Sequence, residues 1–390
     1  MVELGTLIHQ AKIVRCGEGD YPVLSMTMHD GLVFQNDKFN KTIASKDRSD
    51  YKVVNRNQLV ISFPIDEGVL AAQRIVDAGI VSPAYGIWDI NQEMILPEFL
   101  EYALRCDRAL SYYKAKLRGS TARRRSLPTP TLLAYTVPLP DISEQEHILN
   151  VVHKTQKVIS GRTEEISLLD NLIKARFVEM FDDPVSNPKG WNVEPLGKRC
   201  GIITGNTPSR SEPENYGKYI EWIKSDNINT PFTFITKAQE CLSEAGFGKC
   251  RFVEAGSILM TCIAGSINCI GNVAVTDRRV AFNQQINAIV PEQDEVLYLY
   301  WLMRLSRPMI HRTINMALKG ILSKSQLSEM AFPFPPITLQ KQFAAFVEQT
   351  DKSKVVEAIY KANTLFITLN GGNRYDIRAN EFKTDKSAGS

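Results

Sequence analysis

The sequence predicts a mixed α/β (α+β) chain in which two globular domains are separated by two long helices that form an antiparallel coiled coil. Three observations predict this class. The 390 residues exceed the length of one ordinary domain. Short β-rich segments alternate with amphipathic helical segments. A proline-rich junction that leads into a helical pattern occurs twice, which indicates a duplicated unit.

The composition is that of an ordinary globular protein, with 44% hydrophobic and 23% charged residues. Lys and Arg total 46 against 43 for Asp and Glu, so the net charge of +3 excludes a polybasic protein, and any nucleic-acid site has to be local. No apolar run approaches the roughly 18 residues of a membrane span, and the N-terminus lacks the pattern of a secretory leader. Seven scattered cysteines without a Cys-x-x-Cys pair are typical of reduced thiols. We therefore expect a cytoplasmic protein that does not span a membrane.

Signatures of catalysis and of metal binding are absent from the sequence. His147 and His153 do not have the spacing that places two metal ligands on one helical face. There is no phosphate-binding Gly-rich loop ending in Lys-Ser/Thr, and no dinucleotide fingerprint. The Asn-Pro-Pro-aromatic tetrapeptide of amino-methyltransferases is also missing, since Asn187-Pro188 continues as Lys189-Gly190. We predict no catalytic residue and no metal site, and therefore a protein that is not itself an enzyme.

Residues 1–141 are predicted to form the first domain. The segment 54–62 has the pattern of a turn followed by a strand, and it has a counterpart at 253–261. The domain ends in the junction Val137–Gln145, which has the form Pro-apolar-Pro-x-Ile-Ser-x-Gln. Its two prolines favour an extended approach, and Ser143 is expected to cap the helix that follows.

The segment 142–185 is predicted to be a spacer dominated by one helix from about Ile142 to Phe181. Apolar residues recur at alternating steps of four and three, which is the pattern of a coiled-coil seam rather than of a globular helix face. The seam residues are Ile148, Val152, Ile159, Ile166, Leu169 and Ile173, and the stripe continues through Arg176 and Met180. Pro184 prevents the helix from continuing.

Residues 186–336 are predicted to form the second domain, which ends in a second copy of the junction. Phe332–Gln340 aligns with the first copy at an offset of 195 residues, with Thr338 in the capping position. A second helix is predicted within the segment 337–370, followed by a polar tail over 371–390. The seam residues of this helix are Val355, Ile359, Phe366 and Leu369.

The two long helices are expected to pair with each other in antiparallel orientation. The alternative, that each helix packs on its own domain, stays open at this point.

Two basic segments lie just upstream of the two junctions, at equivalent places in the repeats. Eight Lys/Arg and one acid lie between Arg105 and Arg125, and five Lys/Arg and no acid lie between Arg304 and Lys324. Both segments mix Gly, Ser and Thr with the cations, which suits contacts to phosphate. A single charged run is usually a solvated face, but its recurrence at matched positions favours nucleic-acid binding.

Two further polar clusters, around Ser209 and Lys224, are candidate contacts, with ordinary loop chemistry as the alternative. Gln326 is available to bind a base edge. The candidate DNA-binding residues are Gly119, Ser120, Thr121, Arg123, Arg124, Arg125, Ser209, Arg210, Lys224, Ser225, Asp226, Lys319, Gly320, Lys324 and Gln326.

These motifs together resemble the specificity subunit of type I restriction-modification systems, over nearly all of the chain. The resemblance depends on the two junctions, the helical segment Leu168–Phe177 and the segment Asn187–Trp191 that opens the second half. The polar segments 207–210 and 221–226 also look like the start of a recognition domain of this family.

The resemblance implies that each globular domain is a target recognition domain for one half of a split double-stranded DNA site. It implies that the helices form a spacer that docks two methyltransferase (modification) subunits and restriction/translocase subunits. It implies no cofactor in this chain, with S-adenosylmethionine, ATP and Mg bound by the partner subunits. Because the two halves differ in sequence, the target is expected to be bipartite and asymmetric.

Two other classes of function stay open. One is a stand-alone DNA-binding scaffold without a modification partner. The other is a DNA methyltransferase or nuclease that acts alone, against which the missing cofactor motif counts.

Overall fold

The computed structural model of the chain describes residues 1–28, 30–38, 48–117, 127–314 and 320–364, with side chains in the last range described as far as Lys352. The chain divides into two units: unit 1 is Met1–Arg162 with Tyr360–Ser390, and unit 2 is Thr163–Ile359. Both units combine helices and strands, so the predicted mixed fold class is confirmed. The domain limits proposed from the sequence stay predictions.

The elements that begin in unit 1 are strands of two to five residues and mostly short helices. The strands are β1 Val2–Glu3, β2 Ile8–Gln10, β3 Leu24–Thr27, β4 Gly31–Phe34, β5 Lys52–Asn55, β6 Leu59–Ile61, β7 Leu70–Ala72, β8 Ala78–Val81, β9 Gly86–Ile90 and β10 Thr136–Val137. The helices are α1 Gln35–Lys38, α2 Pro97–Arg105, α3 Asp107–Lys116, α4 Thr129–Leu133 and the long α5 Ile142–Phe181, which continues into unit 2.

The centre of unit 1 is a four-stranded antiparallel sheet in the order β2-β9-β6-β7. Leu59 of β6 lies opposite Trp88 of β9 and Ala72 of β7. The helix α2 begins with Pro97, whose fixed φ suits a first helical turn. The inner face of α2 buries Phe99 and Leu100 in the same apolar cluster as Leu59.

Among the described residues, the elements that begin in unit 2 include more strands than those of unit 1. The strands are β11 Val193–Pro195, β12 Cys200–Thr204, β13 Tyr216–Gly217, β14 Ile220–Ile223, β15 Cys241–Leu242, β16 Phe252–Val253, β17 Ile258–Thr261, β18 Ile263–Ala264, β19 Val273–Val275, β20 Val280–Phe282, β21 Ile286–Pro291, β22 Gly320–Ile321 and β23 Ala331–Pro333. The helices are α6 Ser225–Ile228, α7 Glu244–Gly248, α8 Val296–Leu305, α9 Arg307–Arg312, α10 Lys324–Glu329 and α11 Ile337–Thr364.

Unit 2 repeats the sheet of unit 1. Its four-stranded sheet has the order β12-β21-β17-β19, in which Ile258 lies opposite Ile289 and Val275. The helix α8 follows β21 as α2 follows β9, and it buries Leu299 and Leu302 in the core. The same strand order followed by the same helix is the structural form of the duplication that the sequence predicts.

Unit 2 also contains a five-stranded sheet in the order β13-β15-β14-β20-β16. Within this sheet β14 and β20 are parallel, with Trp222 opposite Ala281 and Ile223 opposite Phe282. The carboxyl ends of these two strands therefore meet at one edge of the sheet.

A buried glutamine fixes the first proline junction. The side-chain oxygen of Gln145 accepts a hydrogen bond from the backbone N–H of Leu96 at 2.8 Å, just before α2 begins. Its amide donates to the carbonyls of Met94 and Pro140 at 3.0 and 2.9 Å. The junction is thus tied to the start of α2 by three hydrogen bonds within unit 1.

Gln340 has the same role in the second junction. Its oxygen accepts from the N–H of Glu295 at 3.0 Å, just before α8 begins. Its amide donates to the carbonyl of Pro335 at 2.9 Å and to the carboxylate of Asp294 at 2.7 Å. The Gln that recurs in the sequence repeat is therefore structural in both halves.

The helix predicted over Ile142–Phe181 is confirmed by α5. Its cap differs from the expected one, because the backbone N–H of Glu144 donates to the carboxylate of Asp141 at 2.9 Å. The expected cap at Ser143 is wrong, since the helix begins one residue before it. The second long helix likewise begins at Ile337, one residue before Thr338.

The first part of α5 packs on the core of unit 1. Ile148 and Val152 are 2% and 3% exposed, and they share an apolar cluster with Phe99 and Leu100 of α2. Ile159 is also buried. For Ile148 and Val152 the described contacts are therefore with their own unit, which is the alternative that the sequence left open.

The last part of α5 packs in unit 2 with a spacing that differs from the predicted stripe. Ile173, Phe177 and Phe181 are buried at successive steps of four, whereas Arg176 and Met180 are half-buried. Met180 also packs against this apolar cluster, and Arg176 contacts Phe346 of the second long helix, so the packed surface here is wider than the single predicted stripe. Ile166 and Leu169 are half-buried.

The helices α5 and α11 contact each other inside unit 2. The ring of Phe343 lies 5.4 Å from that of Phe177 and 5.6 Å from that of Phe181, measured between ring centres. The guanidinium of Arg176 lies 5.9 Å from the ring centre of Phe346. Because contacts that advance along α11 go backwards along α5, the two helices are antiparallel here.

Four predicted seam residues of the second helix lie beyond these contacts. Val355 and Ile359 belong to the part of α11 whose side chains are not described. Phe366 and Leu369, with the predicted tail 371–390, lie outside the described residues.

The segment Asn187–Trp191 closes the C-terminal end of α5. The ammonium of Lys189 donates to the carbonyls of Glu179 and Met180 at 2.6 and 3.0 Å. The indole N–H of Trp191 donates to the carbonyl of Phe181 at 3.0 Å. These bonds satisfy carbonyls that have no partner within the helix, so this motif acts as a C-cap.

Across the described ranges, no helix has the length and apolar character that a membrane crossing requires.

Candidate nucleic-acid interface

Three polar loops of unit 2 converge at the carboxyl ends of β14 and β20. The backbone N–H of Asn283 donates to the carbonyl of Ile223 at 3.1 Å, and that of Asn206 donates to the carbonyl of Phe282 at 3.2 Å. The approach is so close at Gly205 that an added Cβ would lie 2.2 Å from the carbonyl oxygen of Asn283. Only glycine fits this position, and the loops that carry Ser209, Lys224 and Gln284 are thereby brought together.

The centre of this interface is an acid shared by two cations. The guanidinium of Arg210 donates two hydrogen bonds to the carboxylate of Glu240, at 2.5 and 3.1 Å. The ammonium of Lys224 donates to the same carboxylate. Hydrogen bonds from Arg210 lower the pKa of Glu240, and those from Lys224 add to this effect, so Glu240 is ionised at neutral pH. The cluster therefore keeps a net positive charge.

Two aromatic rings support the cations. The guanidinium of Arg210 lies 4.6 Å from the ring centre of Tyr216 and 5.4 Å from that of Trp222. The ammonium of Lys224 lies 5.2 Å from the ring of Trp222. A cation placed over a ring loses conformational freedom but stays accessible at its outer edge. We call Arg210, Lys224, Glu240, Tyr216 and Trp222 the cation–aromatic cluster.

The remaining candidates near this cluster differ in accessibility. Ser209 is exposed and hydrogen-bonds Ser211 at 2.7 Å, and Asp226 is exposed in α6. The hydroxyl of Ser225 is buried with no hydrogen-bond partner among the described residues, so it is not presented to a ligand. The hydroxyl of Thr207 donates to the side-chain oxygen of Gln284, which ties two of the loops together.

Backbone contacts link the Gln284 loop, which Thr207 ties to the loop of Ser209, to the second basic segment. The N–H groups of Cys262 and Ile263 donate to the carbonyl of Gln285 at 2.8 and 3.2 Å. Ile263 then pairs with Ile321 in the two-stranded sheet β18–β22. The predicted contacts of unit 2 at 209–226 and at 320–326, far apart in sequence, thus belong to one connected part of the same unit.

The two segments of unit 2 present different groups. Gly320 is buried in β22 opposite Ala264, whereas Lys324 is exposed at the start of α10. The side-chain oxygen of Gln326 accepts from the N–H of Ser323 at 2.9 Å, so this residue completes a capping box. The local role of Gln326 is therefore to cap α10. Its side-chain oxygen is used by the cap, so only its amide nitrogen is available to contact a base edge.

Several arginines of the basic segments have structural partners. Arg105 pairs with Glu101 at 3.0 Å with its side chain 10% exposed, and Arg108 donates to the carbonyl of Thr136 at 2.9 Å. Arg304 pairs with Asp170 at 3.2 Å, and Arg307 donates to the carbonyl of Ile270 at 3.1 Å. Counting charge along the chain overestimates the cations that are available to a ligand.

Within the described part of the chain, the exposed cations of the two basic segments are Arg108, Lys114, Lys116, Arg312 and Lys324, of which Arg108 also donates to the carbonyl of Thr136. The candidates Gly119, Ser120, Thr121, Arg123, Arg124, Arg125 and Lys319 lie outside the described residues.

The described residues contain no group of His, Cys, Asp and Glu arranged to hold a metal ion. Burial raises the pKa of the thiols of Cys200 and Cys262 to about 12, which makes them inert core residues at neutral pH.

Sequence reasoning missed Glu240, Tyr216 and Trp222 as members of the site. Tyr216 and Trp222 lie on strands near the predicted loops, and alternation of aromatic and basic residues over 216–224 is a signal that could have found them. Glu240 precedes β15 and has no such signal, because only the sheet order places its carbonyl 3.1 Å from the N–H of Trp222.

Residues 188–361 match the family described as type I restriction modification DNA specificity domain. The chain is 24% identical over 299 residues to the type I restriction enzyme HindI specificity subunit of Haemophilus influenzae, an alignment that covers 57% of this chain and 64% of that protein. It is 21% identical to the putative type I restriction enzyme MjaX specificity subunit of Methanocaldococcus jannaschii, covering 72% of this chain and 68% of that one.

The fold has a counterpart among solved structures. A chain from a study of complex assembly and conformational transition of the type I R-M system superposes with a TM-score of 0.51 at 17% identity, covering 93% of both chains. This likeness concerns the fold alone.

Two mixed α/β units that share a long helix and repeat one sheet, with a polar loop edge in unit 2, form the architecture to which these comparisons apply. The chain is similar to type I restriction-modification specificity subunits, through the family match over residues 188–361 and through its curated relatives, and the predicted resemblance is confirmed.

Proposed function

We propose that this chain is a non-catalytic subunit that binds an asymmetric, bipartite double-stranded DNA target, one half-site per unit. The observation that supports this most directly is the repetition of one sheet with different loops at its edge. In unit 1 the chain that leaves β2 carries exposed Ile13 and Val14, each 51% exposed. In unit 2 the chain that leaves β12 carries Ser209 and Arg210. The two units share one sheet but carry different residues in the loops that leave it, which suits recognition of two different half-sites.

The chemistry of the cation–aromatic cluster supports DNA as the ligand of unit 2. Arg210 and Lys224 present charge at an edge that also carries the exposed Ser209 and Gln284. Cations and hydroxyls supply phosphate contacts, whereas an amide or a guanidinium supplies contacts to base edges. The exposed lysines Lys114 and Lys116 provide cations of the same kind in unit 1.

We propose further that the chain docks two methyltransferase subunits and, with them, restriction/translocase subunits, which bind S-adenosylmethionine, ATP and Mg, and that it acts in the cytoplasm. An exposed apolar face on the last part of α5 supports docking. Leu168 and Leu172, one turn apart, are 59% and 51% exposed on the side of the helix opposite the buried Ile173, Phe177 and Phe181. Large apolar side chains that cluster on an exposed face are typical of protein interfaces.

The test is to express the chain with a methyltransferase subunit of a type I system from the same host and to map methylated sites genome-wide. The expected result is co-purification of the two proteins and one methylated motif made of two unlike halves separated by an unread gap. A chain that binds DNA but no methyltransferase would favour the scaffold alternative. A chain that alone binds S-adenosylmethionine and methylates DNA would favour the enzyme.

A further inference from the structure

Glu240 is an acid at the centre of an edge otherwise supplied with DNA-contacting groups. Its carboxylate accepts both cations of the cluster, and its side chain is 25% exposed against 59% for Arg210. Phosphate and carboxylate repel each other, so an ionised acid at this place weakens DNA binding unless it moves away from the cations. Because Glu240 weakens DNA binding in this way, its presence at the interface requires a functional explanation.

The geometry of the Arg210–Glu240 pair indicates that function. The guanidinium faces the carboxylate with two parallel donors, and a guanine presents the same pair of acceptors through its N7 and O6. The rings of Tyr216 and Trp222 lie 4.6 and 5.4 Å from the guanidinium and limit the positions that it can take. A fixed fork matches the two acceptors of a guanine edge, and because the same fork also binds phosphate bidentately, Glu240 has to compete with both ligands.

We propose that Glu240 is a specificity-determining residue: it occupies the donor edge of Arg210 until the N7 and O6 of a guanine replace it. Lys224, released at the same time, then binds a phosphate. DNA without a guanine at this position offers only phosphate contacts, which have to compete with an intramolecular carboxylate. This inference rests on the proposed function and adds to it a device by which unit 2 suppresses non-specific binding.

The chain offers a matched control at the other end of β20. Glu254 pairs with Arg279 at 2.6 Å, and the guanidinium of Arg279 lies 5.3 Å from the ring of Phe252. This is again a carboxylate on an arginine that stacks on an aromatic ring. It lies beside the start of β20, whereas the candidate interface lies at the end of that strand.

The experiment compares the full-length chain with its Glu240→Gln and Glu254→Gln variants. Binding to a fluorescent duplex of mixed sequence is measured over a salt series, and each protein selects sequences from a randomised duplex pool. For Glu240→Gln we expect about two- to fivefold tighter binding to the mixed duplex at low salt. We also expect a salt slope steeper by up to about 1.8, because two cations are freed. Its selected motif should lose information at one guanine, and Glu254→Gln should match the wild type.

A third variant, Arg210→Lys, keeps the charge but not the fork. It is expected to keep the salt slope of the wild type and to lose preference at the same guanine. This variant tests the proposal even if Glu240→Gln does not fold. If the preference stays in Arg210→Lys, or if Glu240→Gln matches Glu254→Gln in slope and motif, the role of Glu240 is overturned while the proposed function stands. If the wild-type chain selects no sequence at all, the proposed function fails together with this inference.

Discussion

The side-chain amide of Gln340 donates a hydrogen bond to Asp294 at 2.7 Å, in the buried corner where the second proline junction meets the start of α8. Asp294 also accepts two bonds from the guanidinium of Arg199 at 2.8 and 2.9 Å. One corner thus joins the first strand of the sheet, the helix that covers it and the long helix that follows. Gln145 occupies the same corner of unit 1, without an acid at the position of Asp294.

Replacing Gln340 by Leu is expected to lower the free energy of unfolding by about 2–4 kcal/mol. The substitution keeps the volume but leaves the buried N–H of Glu295 and the carbonyl of Pro335 without partners, and such unsatisfied groups carry a desolvation cost of about 1–3 kcal/mol each. Urea unfolding followed by circular dichroism measures the change. The control is Gln342→Leu, an exposed residue on the same helix, which should change stability by less than about 0.5 kcal/mol. Equal effects of the two variants would contradict the structural role of Gln340.

Arg105 and Lys114 are expected to respond in opposite ways to neutralisation, although both belong to the first basic segment. Arg105→Gln removes the partner of Glu101, whose side chain is 13% exposed and accepts from the N–H of Ala72 at 3.0 Å. An unpaired buried carboxylate of this kind costs about 3 kcal/mol, so this variant should unfold at lower urea concentration. Lys114→Gln should keep its stability and reduce the salt slope of DNA binding by about 0.9.

The measurements for this pair are urea unfolding and a salt series with the mixed-sequence duplex. A stable Arg105→Gln variant with a reduced salt slope would show that Arg105 binds phosphate after all, and that the pair with Glu101 is incidental.

Glu221 gives unit 2 a stability that depends on pH. Hydrogen bonds from Arg278 lower the pKa of Glu221 below its ordinary value of 4.5. A carboxylate with a lowered folded pKa stabilises the protein above its unfolded pKa, and this contribution is lost as the pH falls through the folded value. Glu221→Gln is therefore expected to be less stable than the wild type by about 1 kcal/mol at pH 7, with the difference shrinking below pH 4.5. Thermal unfolding at pH 7 and at pH 3.5 tests this, and a difference that does not change with pH would rule it out.

The sequence predicts the fold well at the two proline junctions, where a repeated pattern reflects hydrogen bonds made within the same unit. Two prolines, an apolar residue and a Gln recur at an offset of 195, and the structure shows why, since Gln145 and Gln340 each bind the start of the equivalent helix. The long helix was predictable from its period and from Pro184. The surface on which this helix packs was not predictable from the sequence. Ile148 and Ile173 belong to the same apolar pattern, but they pack on the cores of different units.

The candidate site was predictable only in part, for a related reason. Ser209, Arg210 and Lys224 lie in loops that composition can mark as polar. Whether a cation is available depends on the tertiary partner, as the buried pair of Arg105 with Glu101 and the shared acid of Arg210 and Lys224 demonstrate. Such partners are set by sheet order and by close approaches such as that of Gly205, and neither has a signature in a single sequence.

Substitutions on the exposed face of α5 are expected to weaken methyltransferase binding without lowering the stability of the protein. Leu168 and Leu172 are 59% and 51% exposed, so Leu168→Gln with Leu172→Gln should change the free energy of unfolding by less than about 0.5 kcal/mol per site. Central apolar interface residues are worth about 1–2 kcal/mol each, so the same pair should weaken binding of the methyltransferase subunit by at least about tenfold.

Two comparisons make the docking prediction sharp. Val193→Gln changes an apolar side chain of similar exposure, 50%, on strand β11, and it should leave methyltransferase binding unchanged. Ile173→Ala removes a fully buried side chain of the same helix and should lower stability by about 2–4 kcal/mol without altering docking of the folded protein. Isothermal titration of each variant with the methyltransferase subunit measures the effect. Undiminished binding in the Leu168/Leu172 double variant would show that the partner uses another surface.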